Sequence, residues 1–280
     1  KSKIQLGAYR DLALHEVSAL DKISSDGGHA NVIKYFGNWI EDSNMFIAVN
    51  FIIFNIPHQL WLDGALPSNL RELWKKKEKF SEEEIIQILS HLTKGLDFLH
   101  SHDIIHMDLK PGNLNLDLKD NNLIREYIFE DGSFKIGDFG LSRIVSPSFN
   151  GDFEEGDSKY LAPELLNLRF AEVSGALLKA ADVYSLGMTI YELITSKYLF
   201  IDNISKAIFH SDCELPAKGD IWQAIRRGQF DALNQVTNMS TSLLDLVKAM
   251  IDINPEKRPT ASNIAFHVNL LLKERVLVKF

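Results

Sequence analysis

Cysteine is almost absent from this chain. Cys213 stands alone among 280 residues, so no internal disulfide can form and an intracellular setting is expected. Long apolar runs are missing too. None reaches the ~18 residues that a membrane span needs, and the most apolar stretch, Phe51 to Leu62, is broken by Asn55, Pro57, His58 and Gln59. The chain opens Lys1-Ser2-Lys3 with no apolar core behind it, so no signal peptide is expected, and without an initiator Met it reads as a fragment. Basic residues are outnumbered, 30 against 38 acidic for a net charge of -8, which argues against general nucleic-acid binding. No internal repeat or linker follows Glu164. What remains is a chain 45% hydrophobic, enough for one large domain or two lobes.

The most informative stretch is His106-Met107-Asp108-Leu109-Lys110-Pro111-Gly112-Asn113. It follows a long amphipathic segment and precedes the alternating Leu114, Leu116 and Leu118, so it reads as a loop between a helix and a strand. Asp138-Phe139-Gly140 and Ala162-Pro163-Glu164 follow. These residues suit phosphoryl transfer. Asp108 can orient a hydroxyl and accept its proton, Lys110 can neutralise the transferring phosphoryl, and Asn113 with Asp138 can hold Mg²⁺.

Around this stretch the periodicity gives a coarse map. Leu12, Ala19, Leu20 and Ile23 fall at helical spacing, with Glu16 on the same side, and Gly27-Gly28 ends that helix. Residues 1 to 8 are polar, with Gly7 at their end. Val32 to Ile40 and Met45 to Ile53 read as two strands around Glu41-Asp42-Ser43-Asn44. Asn55 to Pro67 has no clear period, and a hinge insertion, a partner patch and an artefact of how the sequence was assembled all fit it. Asn69 to Lys79 predicts a short helix with a basic, solvated end. Ser81-Glu82-Glu83-Glu84 fits a capping box, and Ile85, Ile88, Leu89, Leu92, Leu96 and Leu99 continue it as a buried helix face. Phe134 and Ile136 alternate before Asp138, after a polar excursion from Lys119 to Gly132. Ala180 to Ile194 is a buried-type helix with Asp182 near its start, either a solvent-facing charge or a brace for the loop at His106. Ser242 to Ile253 and Thr260 to Leu272 predict two further helices.

In this order the motifs form the protein-kinase signature. Asp108, Lys110, Asn113, Asp138, Gly140, Glu164, Asp182 and Arg258 together resemble the eukaryotic protein-kinase superfamily over nearly the whole chain. Four stretches narrow the resemblance to the Wee family of mitotic-inhibitor kinases, Wee and Myt: His106-Met107-Asp108, Glu154 to Tyr160, Leu215 to Trp222, and Ile225 to Gly228. The resemblance implies an α+β, two-lobed fold in one protein-kinase domain: a truncated, β-rich N-lobe at 1–54, then a hinge insertion and a large, mainly helical C-lobe at 55–280. It implies ATP and Mg²⁺ as cofactors and tyrosine-kinase activity. The implied protein substrate is a cyclin-dependent kinase, held inactive before mitosis. It also implies a nuclear location, or a cytoplasmic or membrane-tethered one for the Myt branch.

Catalysis falls to Asp108 and Lys110 and metal binding to Asn113 and Asp138. The nucleotide site takes Glu16, as clamp of an ATP-contacting lysine, together with Val49, the hinge residues Phe51 and Ile52, and Asn115. Glu164 with Arg258 resembles a structural ion pair, and His106, Phe139, Leu20 and Tyr35 an apolar column joining the lobes. Several positions depart from the family. A glycine-rich phosphate loop is absent, and family spacing places the ATP-contacting lysine just before Lys1. Asn115 replaces an apolar residue and Val49 a polar one, which weakens the expected grip on nucleotide. Met107 stands where most kinases carry an Arg that pairs with an activation-segment phosphate, so catalysis is expected not to need that phosphate. Asp152, Glu154, Glu155 and Asp157 offer fixed negative charge instead. Asp157 replaces a bridging Thr and is expected to contact Lys110. Two other readings stay open: a serine/threonine kinase related to translation-initiation-factor kinases, and a pseudokinase acting as a binding module.

Overall fold

In a computed structural model of the chain, the residues described are 2–5, 10–42, 44–49, 69–77, 79–118, 132–146, 153–166, 173–195 and 214–278. Its first lobe is a three-stranded sheet with one helix. Strand β1 (Ser2–Gln5) and strand β2 (Tyr35–Glu41) both pair antiparallel with β3 (Asn44–Val49), giving the order β1-β3-β2. The polar Ser-Lys-Ile-Gln segment carries little strand signal of its own. It is a strand because β3 offers it a backbone edge, a tertiary effect that outweighs weak local propensity. Helix α1 (Arg10–Ser25) packs on β2 and buries Ala13, Ala19, Leu20 and Ile23.

The loop after α1 is sewn onto the second lobe. Strand β6 (Gly132–Ile136) pairs with β5 (Leu114–Leu118) as the alternating residues predict. Ile33 N donates to Ile136 O at 2.9 Å, Ile136 N to Asn31 O at 2.9 Å, and Asn31 Nδ2 to Phe134 O at 3.0 Å. Gly95 makes room for this loop: a Cβ there would stand 2.6 Å from Asn31 O. The helix that bears Glu16 is thereby tied to the strand that delivers Asp138.

Helices carry the rest. Asn69 caps α2 (Leu70–Lys76) by accepting from Glu72 N. The capping box of α3 (Glu82–Ser101) is complete: Ser81 Oγ accepts from Glu84 N, and Glu84 Oε2 accepts from Ser81 N at 2.8 Å. Its expected face, Ile85, Ile88, Leu89, Leu92, Leu96 and Leu99, is fully buried. Each such side chain contributes about 1.5–3 kcal/mol of burial. Helix α4 (Gly175–Thr195) starts earlier than Ala180, because Ser174 Oγ accepts from Leu177 N and caps it. Asp182 therefore lies within the helix and not near its start. It is 1% exposed, which rules out the solvent-facing charge. Helix α5 (Asp220–Arg226), α6 (Thr241–Met250) and α7 (Ala261–Val278) complete the lobe, with α3 packed on α7 and α4 on α6. No helix among the described residues is long and apolar enough to cross a membrane. The small sheet lobe and large helical lobe match the expected fold class.

Candidate active site

The short strand β4 (Ile104–Ile105) pairs with β7 (Arg143–Ile144) and releases the chain at His106. From there the loop is held from below. Asp182 accepts from His106 N and Met107 N, both at 2.8 Å, and pairs with His100 Nε2 at 2.9 Å. This brace sustains a costly backbone, since Met107 sits at φ +68°. His106 Nδ1 accepts from Asp108 N at 3.2 Å, so its Nε2 carries the proton and donates to Gly137 O at 2.9 Å. Its ring meets Phe139 edge-on, with centroids 5.1 Å apart. One histidine thus fixes both Asp108 and the residue before Asp138.

Asp108 is held on both oxygens. Oδ2 accepts from Asn113 Nδ2 at 2.9 Å and pairs with Lys110 Nζ at 2.7 Å. Oδ1 accepts from Asp157 N at 3.1 Å. A carboxylate so oriented can direct a hydroxyl and take its proton, with Lys110 beside it for negative charge on the other reactant. Asn113 Nδ2 also donates to Asp108 O at 2.9 Å, leaving its Oδ1 as the free end of the amide. Asp138 is exposed, at φ +64°, with Gly140 N 3.5 Å from its Oδ1. Asn113 Oδ1 and the Asp138 carboxylate are hard oxygen donors that suit Mg²⁺. Among the described residues no group of three or more His, Cys, Asp or Glu could hold a metal, so an ion here would complete its shell with phosphate and water oxygens.

Glu16 reaches the same region. Burial, and then the Asp138 charge, push its carboxyl from 4.5 up to about 7. Among the described residues no cation pairs with it. Lys3 lies in β1 with its side chain outside the described set. Because the folded pKa is raised, the folded protein holds a proton that the unfolded chain has released between pH 4.5 and about 7. Stability from this group is therefore greatest below pH 4.5 and falls as pH rises to about 7, by on the order of 3 kcal/mol in full. Urea titrations of wild type and Glu16→Gln at pH 5 and pH 8 should diverge, wild type losing stability at the higher pH. Parallel pH curves would refute this.

Of the remaining nucleotide-site residues, Val49 and Asn115 are described, and among the described residues neither makes a side-chain hydrogen bond to that group. Val49 ends β3, half-buried and paired with Tyr35. Asn115 lies on β5, bridged to Asn69, with Nδ2 only 2.3 Å from where a Cβ on Gly137 would stand. Phe51 and Ile52 lie outside the described residues, as do 55–67, Asp152 and Cys213. Asp157 does not pair with Lys110. Its Oδ1 accepts from Lys159 N at 3.1 Å, capping its own turn, while Lys110 goes to Asp108. A short side chain that can close a local turn does so at less entropic cost than one reaching across a site.

Sequence reasoning missed the anchor of this segment. Tyr160 OH donates to Glu192 Oε2 at 2.7 Å and accepts from Arg71 Nη2 at 2.7 Å, and Leu215 N donates to Glu192 Oε1 at 2.7 Å. Burial pushes both the Tyr160 hydroxyl and the Glu192 carboxyl up. Arg226 Nη2 donates to Ser158 O and Lys159 O, and Trp222 Nε1 to Ser158 O. Arg258 pairs bidentately with Glu164, as expected. Gly156 presses on the catalytic loop, where a Cβ would lie 2.5 Å from Met107 O. These contacts hold the segment without phosphate, and Met107, 4% exposed, has no means of pairing with one. Exhaustive phosphatase treatment is expected to leave phosphoryl transfer within about twofold of the untreated rate, since no charge-assisted bond to Met is lost. Loss of activity would overturn this.

Comparison with known proteins agrees with the geometry. Residues 2–269 match the protein kinase domain family. The chain is 30% identical over 257 residues to Wee1-like protein kinase 1-B of Xenopus laevis, covering 89% of this chain and 37% of that protein. It is 31% identical over 240 residues to the membrane-associated tyrosine- and threonine-specific cdc2-inhibitory kinase wee-1.3 of Caenorhabditis elegans, covering 85% of this chain and 28% of that protein. It is 29% identical over 265 residues to the Wee1-like protein kinase of Arabidopsis thaliana, covering 95% and 42%. The chain spans less than half the length of these curated relatives. With Asp108, Lys110 and Asn113 joined on one loop that Asp182 braces, and a family match over almost its whole length, the chain belongs to the protein kinase family, among the Wee-type kinases.

Proposed function

We propose that this domain transfers the γ-phosphate of ATP to a tyrosine in the glycine-rich loop of a cyclin-dependent kinase, in the nucleus, restraining the onset of mitosis. The observation that carries the chemistry is the Asp108 carboxylate, fixed by Asn113, Lys110 and Asp157 N. Asp108 orients the acceptor hydroxyl and takes its proton. Lys110 faces the charge on the transferring group. Asn113 and Asp138 hold Mg²⁺, which when bound neutralises the phosphate oxygens. Glu16, when ionised, is the clamp for a lysine that contacts ATP. The substrate assignment draws on the relatives' names, which include a tyrosine- and threonine-specific cdc2-inhibitory kinase.

The test is phosphoamino-acid analysis. The full-length protein is incubated with Mg-ATP and a catalytically dead cyclin-dependent kinase, with Asp138→Asn as control. Phosphotyrosine that vanishes in the control is the expected result. Phosphoserine or phosphothreonine alone would overturn the tyrosine assignment, and no transfer would overturn the kinase assignment itself.

A further inference from the structure

Lys159 lies two residues beyond Asp157, whose N–H holds the catalytic carboxylate, and its own N–H donates to Asp157 Oδ1 at 3.1 Å, so its backbone belongs to the segment that flanks Asp108. It does not stand alone. Lys159 Nζ pairs with Glu214 Oε2 at 2.5 Å, Arg71 Nη1 pairs with Glu214 Oε1, and Lys75 Nζ lies 4.0 Å from that same oxygen. One carboxylate thus serves three cations. The Arg71, Lys159 and Glu214 side chains are 20%, 22% and 20% exposed, so the group is sunk into the surface but open to solvent.

The hydrogen-bond inventory has a sign. Both oxygens of Glu214 are engaged, whereas Lys carries three donors and Arg five, and neither can accept. The group's spare capacity is therefore for acceptors. The second carboxylate nearby, Glu192, is fully buried, spends its oxygens on Tyr160 OH and Leu215 N, and is pushed up by burial, so it offsets the exposed cations poorly. Glu154 and Glu155 are exposed and form no ion pair with this group among the described residues. The backbone beneath Lys159 is immobilised by Arg226, which limits the entropy lost when Lys159 engages a ligand. Among the described residues, Arg71, Lys75 and Lys159 thus share Glu214 as an ion-pair partner, three cations on one carboxylate in a chain of net charge -8.

From this geometry we infer that Arg71 and Lys159 form a specificity subsite for an acidic side chain of the protein substrate, close in sequence to the residue that is phosphorylated. The inference rests on the kinase function proposed above. Glu214 keeps the two cations in place and is the group with which the substrate carboxylate shares them.

The test uses pairs of tyrosine peptides that differ only by Glu or Gln, placed in turn at each position flanking the acceptor. Wild type should show, at one position at least, a KM for the Glu peptide about tenfold below that for its Gln partner, the effect of one partly buried ion pair. Lys159→Met should bring that ratio to about one, and Lys159→Arg should restore it, because charge and not shape is being read. Lys248→Met, on the remote helix α6, should keep the wild-type ratio. Equal KM values for wild type at every position, or a preference that Lys159→Met retains, would overturn the subsite. If wild type phosphorylates neither peptide, the kinase reading fails. Fluorescence anisotropy with the same pairs then decides the subsite alone, tighter Glu binding lost in Lys159→Met supporting it and equal binding refuting it.

Discussion

Asp108→Asn is expected to lower kcat about 1,000-fold, within the range for losing a general base, while the KM for ATP changes little. The first effect follows from chemistry, since an amide cannot take the hydroxyl proton. The second follows from position. Asp108 itself is assigned to the acceptor hydroxyl, and the groups assigned to the nucleotide and its Mg²⁺, Lys110 and Asn113 among them, are other side chains that the substitution leaves in place. There is also a structural component. Every neighbour of the two carboxylate oxygens is a donor. An Asn must therefore point its own NH₂ at a donor, either Asp157 N or the Asn113–Lys110 pair. That conflict costs about 1–3 kcal/mol and should appear as a lower unfolding midpoint. Single-turnover assays on folded variant separate the two components. A kcat within tenfold of wild type would remove Asp108 from the base role.

Glu164→Ala is expected to destabilise the domain by about 3–5 kcal/mol, the cost of stranding a buried charge. Arg258 is the reason. Its side chain is 0% exposed, with Nη1 and Nη2 on Glu164 at 2.6 and 2.8 Å. Nε is on Asp252 O, Nη1 also on Ala180 O, and the guanidinium lies over the Tyr184 ring at 4.7 Å. Removing the carboxylate leaves the cation with neutral partners only among these contacts. Glu164→Leu with Arg258→Met should regain much of the loss, because an apolar pair of similar size avoids desolvating two charges. Urea unfolding of the two single variants and the double variant gives the coupling. A Glu164→Ala effect below about 1 kcal/mol would mean that water or another anion reaches Arg258.

Much of this site is written in short stretches of sequence. The loop from His106 to Asn113 fixes its own geometry through bonds across a few residues, and so does the box at Ser81 and Glu84. Glu164 and Arg258 lie far apart, yet kinase signature positions identify them. Other features have no local signature. Arg71 meets Tyr160, and Tyr160 meets Glu192, through packing of α2 and α4 around a buried phenol, and no spacing rule links those positions. The strand at Ser2–Gln5 depends on the edge of β3. The start of α4 was legible in principle, because Ser174 three residues before Leu177 is a capping signal, but Gly175 reads as a breaker. Asp157 shows the limit of carrying a contact across by position: the residue is where expected, and its side chain turns to its own backbone.

Met107 carries a constraint that reaches beyond the single enzyme. Its left-handed backbone and its burial act on mutation in opposite ways. Single-nucleotide changes from its codon lead to Leu, which keeps an apolar unbranched Cβ, and to Ile, Val and Thr, all branched at Cβ and all strained at positive φ. They also lead to Arg and Lys, which tolerate the backbone no worse but place an unpaired cation in a site closed to water. Arg becomes an advantage only after a phosphate site has arisen on the facing segment. A lineage with Met at this position therefore needs two coordinated changes before phosphate dependence can be selected, and each alone is a loss. In such a lineage the segment is expected to stay assembled without phosphate, with control of the kinase falling to other means.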